Sequence, residues 1–462
     1  MDASLREEPK VRIPTLTQKK RWLILSHAFN MDGRAASHTI TDKIPYLLAA
    51  GVKPIVLSGI SGHKDQRFPH YQYLDWGPAG FRFDFRHWVA NRYGRGVLYK
   101  VSTSLVSILL APLIALERAL LGYSSQWSWF LPAFFHGRKL IRAGKVDVVF
   151  SVGSAWSAHL AGVWLKKATG IELISEVHDP MVIRKDENDQ GNAKPTNRDA
   201  AFRHYLEAQL TQHSNLVWWF TDGALHYAGV RNPNLNTPNN AYGFMVLPGA
   251  EPPGGLSAGQ QHVYTEHLNV CHFGSLAKDR SLSTILKALI PLFQKYPEAR
   301  QHIRLHAYGA PLDSLTIDVL KQWGFEDVLI AHGRLEKDPV TGKSGRERVV
   351  EKMQKADVLL LMLGHEEWCT EYIPSKFYEY LWAGRPIWGI SHRNPQLDQM
   401  LLERGSYICY NDSDEAVAGM LETIWLDWRK QQLINPIWRP IGVDQAVASI
   451  LNAVQAHQQE QP

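Results

Sequence analysis

The chain has 462 residues, of which 45% are hydrophobic and 21% are charged, and its formal net charge is +5. This composition excludes a disordered chain, and the length exceeds the ~100–200 residues of an ordinary domain, so we expect two globular domains. The mild positive charge is compatible with nucleotides or an anionic membrane surface and requires neither.

Short apolar segments alternate with helical patterns through both halves, which is typical of parallel βαβ units. The first half predicts a helix ending at Ala50, helices near 156–168 and 199–213, and strands at Trp22–Ser26, Pro54–Ser58, Asp147–Ser151, Glu172–Glu176, Asn215–Phe220 and Met245–Leu247. The second half predicts strands at Asn269–Phe273, Ile303–Ala307, Val328–Ala331, Asp357–Leu363, Pro386–Ile390 and Tyr407–Cys409.

The predicted fold class is therefore α/β, with two Rossmann-like, doubly wound domains. We expect an N-terminal extension (1–20), a first domain (21–248), a Pro- and Gly-rich linker (249–264), a second domain (265–438) and a C-terminal segment (439–462). That last segment contains an amphipathic helix expected to pack back on the first domain. Two regions, 63–95 and 185–198, have no clear pattern, and the second reads as a polar surface loop.

The uncharged run Val101–Leu116 carries four Ser or Thr hydroxyls and Pro112. A membrane-spanning helix needs about 20 apolar residues, so a full crossing is not expected. A helix of the core is favoured over a membrane anchor. Arg118, the aromatic cluster 127–135 and the pair Arg138-Lys139 keep docking at a membrane interface as the alternative.

Three scattered cysteines, Cys271, Cys369 and Cys409, have no metal-ligand spacing, which predicts a reducing compartment such as the cytosol. The segment Met1–Glu8 lacks the apolar core of a signal peptide. The expected location is the cytoplasm, including the inner face of the cytoplasmic membrane.

Ligands of open α/β sheets bind outside the carboxyl ends of the strands, so the residues that follow each strand are the candidates. No Gly-x-Gly-x-x-Gly follows the first strand and no Walker loop occurs, which argues against a dinucleotide dehydrogenase and a P-loop kinase.

Gly274 and Ser275 end one predicted strand, and Arg280 precedes the next helix. A glycine lets the backbone approach a ligand, helix N-terminal amides favour phosphate, and an arginine adds bidentate contacts. A plain tight turn is the alternative for Gly274. Gly309 and Arg334 follow the next two strands in the same manner.

The stretch from Glu371 to Gly384 predicts a loop followed by a helix that Pro374 and Ser375 begin. We expect Glu371 in the loop and Glu379 on the helix, where its carboxylate suits the two hydroxyls of a ribose. Ser375 and Lys376 at the helix N-terminus suit a diphosphate. A solvated acidic loop is the alternative for Glu371.

The order of these motifs resembles glycosyltransferase family 4 over most of the chain. The segments that carry the resemblance are Phe273–Leu276 with Arg280, the turn His332–Leu335, the two-glutamate stretch 371–384, the strand end Ile174–Pro180 and the region 151–170. The chain departs from the family pattern at Ser275, where an arginine is usual, and at Asp32-Gly33-Arg34, which replaces a double-glycine loop.

The resemblance implies a GT-B fold, whose two domains face each other across a cleft, and retaining transfer from a nucleotide-diphosphate sugar without a cofactor or metal. His178 and Glu371 take catalytic roles in this reading. Donor contacts fall to Gly33, Gly274, Ser275, Arg280, Gly309, Arg334, Ser375, Lys376 and Glu379. Acceptor contacts fall to Asp32, His159 and Asp179.

Each of these roles has a plainer alternative. His178, taken alone, is a structural histidine, and His159 on its helix packs or caps. Asp186, Glu187 and Asp189 imitate an acidic metal motif, but a flexible loop is favoured.

The resemblance also implies a glycan or lipid-linked acceptor in cell-surface polysaccharide synthesis, with peripheral membrane contact and no nucleic acid. The competing functions are a sugar phosphorylase or epimerase of similar chemistry, and a non-catalytic protein that binds a nucleotide sugar or a partner enzyme. The base, the sugar, the acceptor and the oligomeric state are open at this point.

Overall fold

The computed structural model describes residues 11–15, 20–31, 35–122, 126–153, 156–184, 189, 195–252, 262–277, 279–309, 311–338 and 340–459. The chain divides into two compact units. The first unit is Pro9–Pro248 with Val443–Pro462, and the second unit is Gly249–Gly442.

The first unit is built on a parallel seven-stranded sheet with the order β3-β2-β1-β4-β5-β6-β7. Its strands are β1 (Arg21–Leu25), β2 (Lys53–Ser58), β3 (His70–Gln72), β4 (Val148–Gly153), β5 (Glu172–Val177), β6 (Leu216–Trp219) and β7 (Tyr242–Met245). Its helices in this part of the chain are α1 (Ala35–Thr41), α2 (Ile44–Ala49), α3 (Pro78–Tyr93), α4 (Val97–Leu121), α5 (Phe130–Arg142), α6 (Trp156–Thr169), α7 (Arg198–His213) and α8 (Asp222–Arg231).

The second unit repeats this architecture around a parallel six-stranded sheet with the order β10-β9-β8-β11-β12-β13. Its strands are β8 (Leu268–Gly274), β9 (Ile303–Gly309), β10 (Leu329–Gly333), β11 (Val358–Met362), β12 (Ile387–Ser391) and β13 (Tyr407–Tyr410). Its helices are α9 (Ser283–Lys295), α10 (Ala299–His302), α11 (Ser314–Trp323), α12 (Gly345–Gln354), α13 (Ser375–Ala383), α14 (Pro395–Leu402) and α15 (Asp414–Arg429). The last helix, α16 (Val443–Gln459), belongs to the first unit.

Side chains alternate along the central strand β1, so each face of the first sheet contributes to an apolar core. Leu23 and Leu25 enter one apolar core, while Trp22 and Ile24 enter the core on the other face. The apolar side of α16 is buried in that second core, through Val447, Leu451 and Val454. A strand that is buried on both faces is expected in a parallel sheet covered by helices.

Two expectations about local structure are wrong. The helix expected to run to Ala50 is broken into α1 and α2, and the last strand of the first unit is Tyr242–Met245 instead of Met245–Leu247. The unassigned region 63–95 contains β3 and the 16-residue helix α3. The polar region 185–198 lies largely outside the described residues.

The run Val101–Leu116 is not a core helix. It lies within α4, a 25-residue helix that is long and apolar enough to cross a membrane by length and composition, with 6% of its most apolar window buried. The nearby aromatic cluster is mostly buried, unlike α4. Trp129, Phe130 and Ala133 lie in the core, and Phe135 is exposed. The alternative of docking through this cluster therefore does not fit most of its residues.

Gly274 and Gly309 pair with each other at the ends of β8 and β9. Their φ angles are 140° and 133°, a region that residues with a side chain rarely adopt. A Cβ added to Gly309 would also overlap the carbonyl oxygen of Gly274. The backbone itself thus requires glycine at both strand ends.

Gly309→Ala is expected to lower the stability of the second unit by about 2–3 kcal/mol, because it adds backbone strain and a steric clash. Gly419→Ala is the matched control, since an added Cβ in α15 meets no atom within 4 Å. It should raise stability by about 0.5–1 kcal/mol. Urea unfolding followed by circular dichroism measures both, and equal midpoints for the two variants would contradict the expectation.

Candidate functional site

The sheet of the second unit has its topological switch point between β8 and β11. These strands pair only from Val270–Val358 to His272–Leu360. Beyond that point β8 continues along β9 to Gly274, and β11 continues along β12 to Met362. Separation of neighbouring strands at their carboxyl ends opens the crevice in which ligands of open α/β sheets bind.

One hydroxyl closes the base of this crevice. The Tyr380 hydroxyl accepts the Phe273 N–H at 3.2 Å and donates to the Leu360 carbonyl oxygen at 3.2 Å. Those backbone groups lose their sheet partners where the strands separate, and Tyr380 supplies both bonds. The hydroxyl thereby anchors α13 at the switch point. Sequence reasoning missed Tyr380, although it directly follows Glu379 in the motif.

The loop after β8 carries the predicted phosphate contacts. Arg280 Nη2 donates to the Ser275 hydroxyl at 3.3 Å, and a short bridge between Ala277 and Arg280 closes the loop. Gly274 has no side chain, so the backbone at this strand end stays open to a ligand. Its φ of 140° lies outside the range of a common tight turn, so that alternative does not fit. The structure therefore brings Gly274, Ser275 and Arg280 together.

His272, which was not predicted as a site residue, lies beneath this loop. Its ring is 6% exposed, and Nδ1 lies 3.3 Å from the Leu360 carbonyl oxygen, so Nδ1 carries the proton. Burial and, to a smaller extent, the charges of Arg280 and Lys376 lower the pKa of His272 to about 4, although the bond to Leu360 raises it. Within the described part of the chain, Nε2 has no hydrogen-bond partner. His272 thus offers a neutral acceptor among cations.

The first two turns of α13 hold three predicted donor contacts. Ser375 is exposed at the helix start, and Lys376 Nζ lies 2.7 Å from the Glu379 carboxylate. Both side chains of this pair are about one-third exposed or less, at 32% and 27%. The helix N-terminus and Lys376 together favour an anion.

Glu371 ends the short 3-10 turn Glu367–Glu371 and is 1% exposed. The solvated-loop alternative is therefore wrong. Asn394 fixes this turn from the other side, because its side-chain amide donates to the carbonyl oxygens of Cys369 at 3.0 Å and Tyr372 at 2.9 Å. Glu371 and Glu379 lie on separate elements, as expected.

Aromatic rings line the neighbouring strands. The ring of His332 stacks on Tyr308 at 4.2 Å, and Tyr308 stacks on Phe273 at 4.7 Å. Gly309 ends β9 in the middle of this row, while Arg334 follows β10 and is exposed. The predicted base-binding turn thus lies at the outer end of a continuous aromatic ladder.

In the first unit, His178 follows β5 and is held from two sides. Its Nε2 lies 3.0 Å from Glu176 Oε1, and its ring stacks on Phe220 at a centroid distance of 4.8 Å. Glu176 is fully buried and also accepts bonds from Lys43 Nζ and the Trp218 indole N–H, each at 3.0 Å. Lys43 and Trp218 were missed because they are distant from His178 in sequence. Glu176 was missed although it lies close to His178, near the end of β5.

Glu176 is ionised in this arrangement. Burial raises its pKa, but the charges and hydrogen bonds of Lys43 and His178 outweigh burial and bring the pKa to about 2. An ionised carboxylate only accepts hydrogen bonds, so the Nε2 of His178 carries a proton. Glu176 consequently fixes both the orientation and the tautomer of the ring.

The acceptor residues are only partly described. His159 is fully buried in α6, its Nδ1 lies 3.0 Å from the Ser151 hydroxyl, and burial lowers its pKa to about 4. A fully enclosed ring cannot contact an acceptor, so the packing alternative replaces that role. Asp179 is exposed beside His178. Asp32 and Gly33 lie outside the described residues.

The acidic loop that imitates a metal-binding motif lies mostly outside the described residues. These include Asp189 but not Asp186 or Glu187. Across the described ranges, no group of three or more His, Cys, Asp or Glu side chains could hold a metal ion.

Solved structures share this architecture over nearly the whole chain. HepE of Anabaena, in complex with UDP-glucose, has a TM-score of 0.51 at 11% identity, covering 95% of this chain and 98% of HepE. The trehalose 6-phosphate synthase of Burkholderia multivorans has a TM-score of 0.53 at 9% identity, covering 96% and 100%. A trehalose-6-phosphate synthase studied for glycosyl transfer with retention has a TM-score of 0.55 at 13% identity, covering 94% and 99%.

The chain has the GT-B fold. No protein-family profile matches it, and no curated protein matches it in sequence. The fold agrees with the expected pair of Rossmann-like units, and the two sheets of seven and six parallel strands are its basis.

Lys43→Met is expected to destabilise the first unit by about 3–5 kcal/mol, because it leaves the buried Glu176 carboxylate without its main counter-charge. Lys53→Met is the matched control, since Lys53 is exposed on β2. Urea unfolding at pH 7 measures both variants. Equal stabilities would show that Lys43 does not balance Glu176.

The pH dependence gives a second readout of the same pair. The pKa of Glu176 is about 2 in the folded chain against an ordinary value of 4.5, so its stabilisation is present above pH 4.5 and is lost as the pH falls towards 2. The Lys43→Met variant should lose less stability over this window than the unmodified chain.

Proposed function

We propose that the chain is a retaining glycosyltransferase that moves a sugar from a nucleotide-diphosphate sugar to a glycan or lipid-linked acceptor. The observation that carries the proposal is the anion site at the switch point of the second unit. There an open glycine backbone, Arg280, Lys376 and the first turn of α13 meet around the buried ring of His272. A nucleoside diphosphate matches this combination of cations and amide donors.

The Arg280–Ser275 contact favours an enzyme over a non-catalytic binding protein. Ser275 stands where the family 4 pattern has an arginine, and that absence is the best argument for lost activity. Arg280 places its guanidinium against the Ser275 hydroxyl, so a positive charge is supplied five residues later in the chain. The serine then orients the arginine instead of marking its loss.

The charges of this site suit departure of the nucleoside diphosphate. As the bond between the sugar and the diphosphate breaks, negative charge develops on the leaving oxygen, and Arg280 and Lys376 stabilise it. Lys376 is paired with Glu379 at 2.7 Å. Binding of a ribose to the Glu379 carboxylate would leave Lys376 to turn towards the phosphates.

His178 suits a contact with the donor sugar. Glu176 holds its protonated Nε2, so Nδ1 is the atom that accepts a bond from a sugar hydroxyl. Glu371 is proposed to contact sugar hydroxyls near the reacting carbon. Among the residues that the structure describes we identify no nucleophile, and we therefore favour substitution on one face of the sugar over a covalent intermediate.

Uracil is the base to test first, because HepE, which shares the fold, was solved with UDP-glucose. The proposal includes cell-surface polysaccharide synthesis and a location at the cytoplasmic face of the membrane, with no cofactor beyond the donor. The retaining outcome rests on the family 4 resemblance and on a synthase of the same fold studied for transfer with retention.

Saturation with the correct nucleoside diphosphate is expected to raise thermal stability. At 100 times the dissociation constant, a ligand stabilises the folded state by about 2.7 kcal/mol. UDP, GDP and ADP and their sugar conjugates are compared by thermal denaturation, and Glu379→Ala should abolish the shift. Glu326→Ala, which removes an exposed acid of the same unit, is the control. An intact fold with no shift for any nucleotide would refute the donor site.

Arg280→Ala is expected to weaken diphosphate binding at least tenfold, equivalent to about 1.4 kcal/mol, and to lower kcat for donor hydrolysis by about 100-fold. Arg280→Lys should restore part of the binding, since it keeps the charge but loses the bidentate geometry. Arg300→Ala, an exposed arginine paired with Asp327, is the control. Binding without any turnover in the unmodified chain, across donors and acceptors, would favour the non-catalytic function.

A further inference from the structure

The helix α4 presents a continuous apolar face that no described residue covers. Its exposed apolar side chains are Val97, Leu98, Val101, Leu105, Ile108, Leu109, Leu113, Leu116 and Leu120, each at least 50% exposed. At 100° per residue they fall within an arc of roughly 160°, and at 1.5 Å per residue the helix is about 37 Å long. Such a patch is larger than the scattered apolar residues of a normal surface.

The opposite side of α4 is fixed to the first unit. Ile114 and Thr103 are buried, at 4% and 7% exposure. Glu117 accepts the Ala79 N–H at the start of α3 at 2.8 Å and the Trp127 indole N–H at 2.7 Å. The helix is therefore attached along one face and exposed along the other.

Three of the four serine and threonine hydroxyls of α4 bond to carbonyl oxygens of the same helix, and the fourth, Ser104, is exposed. Ser102 donates to the Leu98 carbonyl oxygen at 2.7 Å, Thr103 to Tyr99 at 2.6 Å and Ser107 to Thr103 at 2.6 Å. Ser102 lies on the apolar face, and its bond to Leu98 takes the place of a bond to water. Internal satisfaction of polar groups is what a hydrocarbon environment demands.

Every exposed charged side chain of the hairpin 78–121 is a cation. These residues are Arg86, Arg92, Arg95, Lys100 and Arg118. The two acids of the hairpin are turned inward, since Asp84 is fully buried and Glu117 is bonded to α3 and Trp127. The charge pattern complements a negative surface.

We propose that α4 lies in the plane of an anionic lipid bilayer, with its apolar face in the hydrocarbon and its cations at the headgroups. A crossing orientation would carry the Glu117 carboxylate and the attached α3 into the membrane interior, which is costly. A protein partner is disfavoured because protein interfaces form about one hydrogen bond per 100–200 Å², and this face offers only hydroxyls that bond to their own helix. The inference does not depend on the proposed transfer reaction.

Vesicle flotation of the purified full chain tests the surface. We expect binding to vesicles of phosphatidylcholine with 30% phosphatidylglycerol, and weaker binding to phosphatidylcholine alone or at high salt. Ile108→Glu should weaken binding to anionic vesicles at least tenfold. Ala111→Glu is the matched control, because it adds the same charge to an exposed position on the side of α4 that carries Lys100 and Arg118.

Leu116→Gln, at a side chain 56% exposed, gives a second and uncharged variant, and the thermal midpoint verifies the fold of each. Failure of the folded, unmodified chain to float, or equal binding by Ile108→Glu and Ala111→Glu, would overturn the proposal. So would a dimer, measured by light scattering, that Ile108→Glu dissociates while no vesicle binding is seen. Nucleotide binding is measured separately and is expected to be unchanged in these variants.

The in-plane orientation has its own readout. The three cysteines of the chain are buried, so cysteines introduced at Leu98, Leu109 and Leu120 are the accessible thiols for a polarity-sensitive dye. An in-plane helix gives similar blue shifts on vesicles at all three positions. A large shift at Leu109 with water-like emission at both ends would indicate a spanning helix and overturn the orientation.

Discussion

The site of the second unit depends on the separation of β8 from β11 after His272 and Leu360. Two parallel strands can part only if their released backbone groups find other partners, since an unpaired buried N–H or carbonyl oxygen is costly. The Tyr380 hydroxyl meets both needs and in doing so fixes where α13 begins. The same bond thus opens a crevice and directs a helix N-terminus and its Lys376 towards the strand ends.

The first unit positions its candidate site residue, His178, with charge. Its strands β1 and β4 pair as far as Leu25 and Ser151 and then part. On the next strand, β5, Glu176 is buried and ionised, and Lys43, His178 and Trp218 share its oxygens. A buried ion pair adds little net stability, but removal of one partner leaves the other charge buried and unpaired, which is costly. The pair therefore fixes side-chain geometry more than it stabilises the fold. What it holds here is the His178 ring.

Strand positions could be predicted from the sequence where burial on both faces gives long apolar runs, as in Val148–Gly153 and Val358–Met362. The motif residues 371–384 also indicated a loop and a helix start correctly, because proline and glycine act locally. The partners Lys43, Asn394 and Tyr380 could not be predicted, since each acts on a residue brought near only by the sheet order. The burial of Glu371 could not be predicted for the same reason. Its acidic neighbours in the sequence indicated a solvent-exposed loop instead.

The helix α4 shows why an apolar run cannot be assigned to a core from composition. A buried helix and a lipid-facing helix have the same hydropathy. Pro112 and the hydroxyls argued only against a full crossing, and the core helix that was favoured instead is wrong. The discriminating features are where the charges lie and where the hydroxyls point. Cations exposed beside an apolar arc, acids bonded inward and serines bonded to their own helix are all needed at a lipid surface. A core helix also needs its hydroxyls bonded, but it carries no row of exposed cations, because covering residues enclose it.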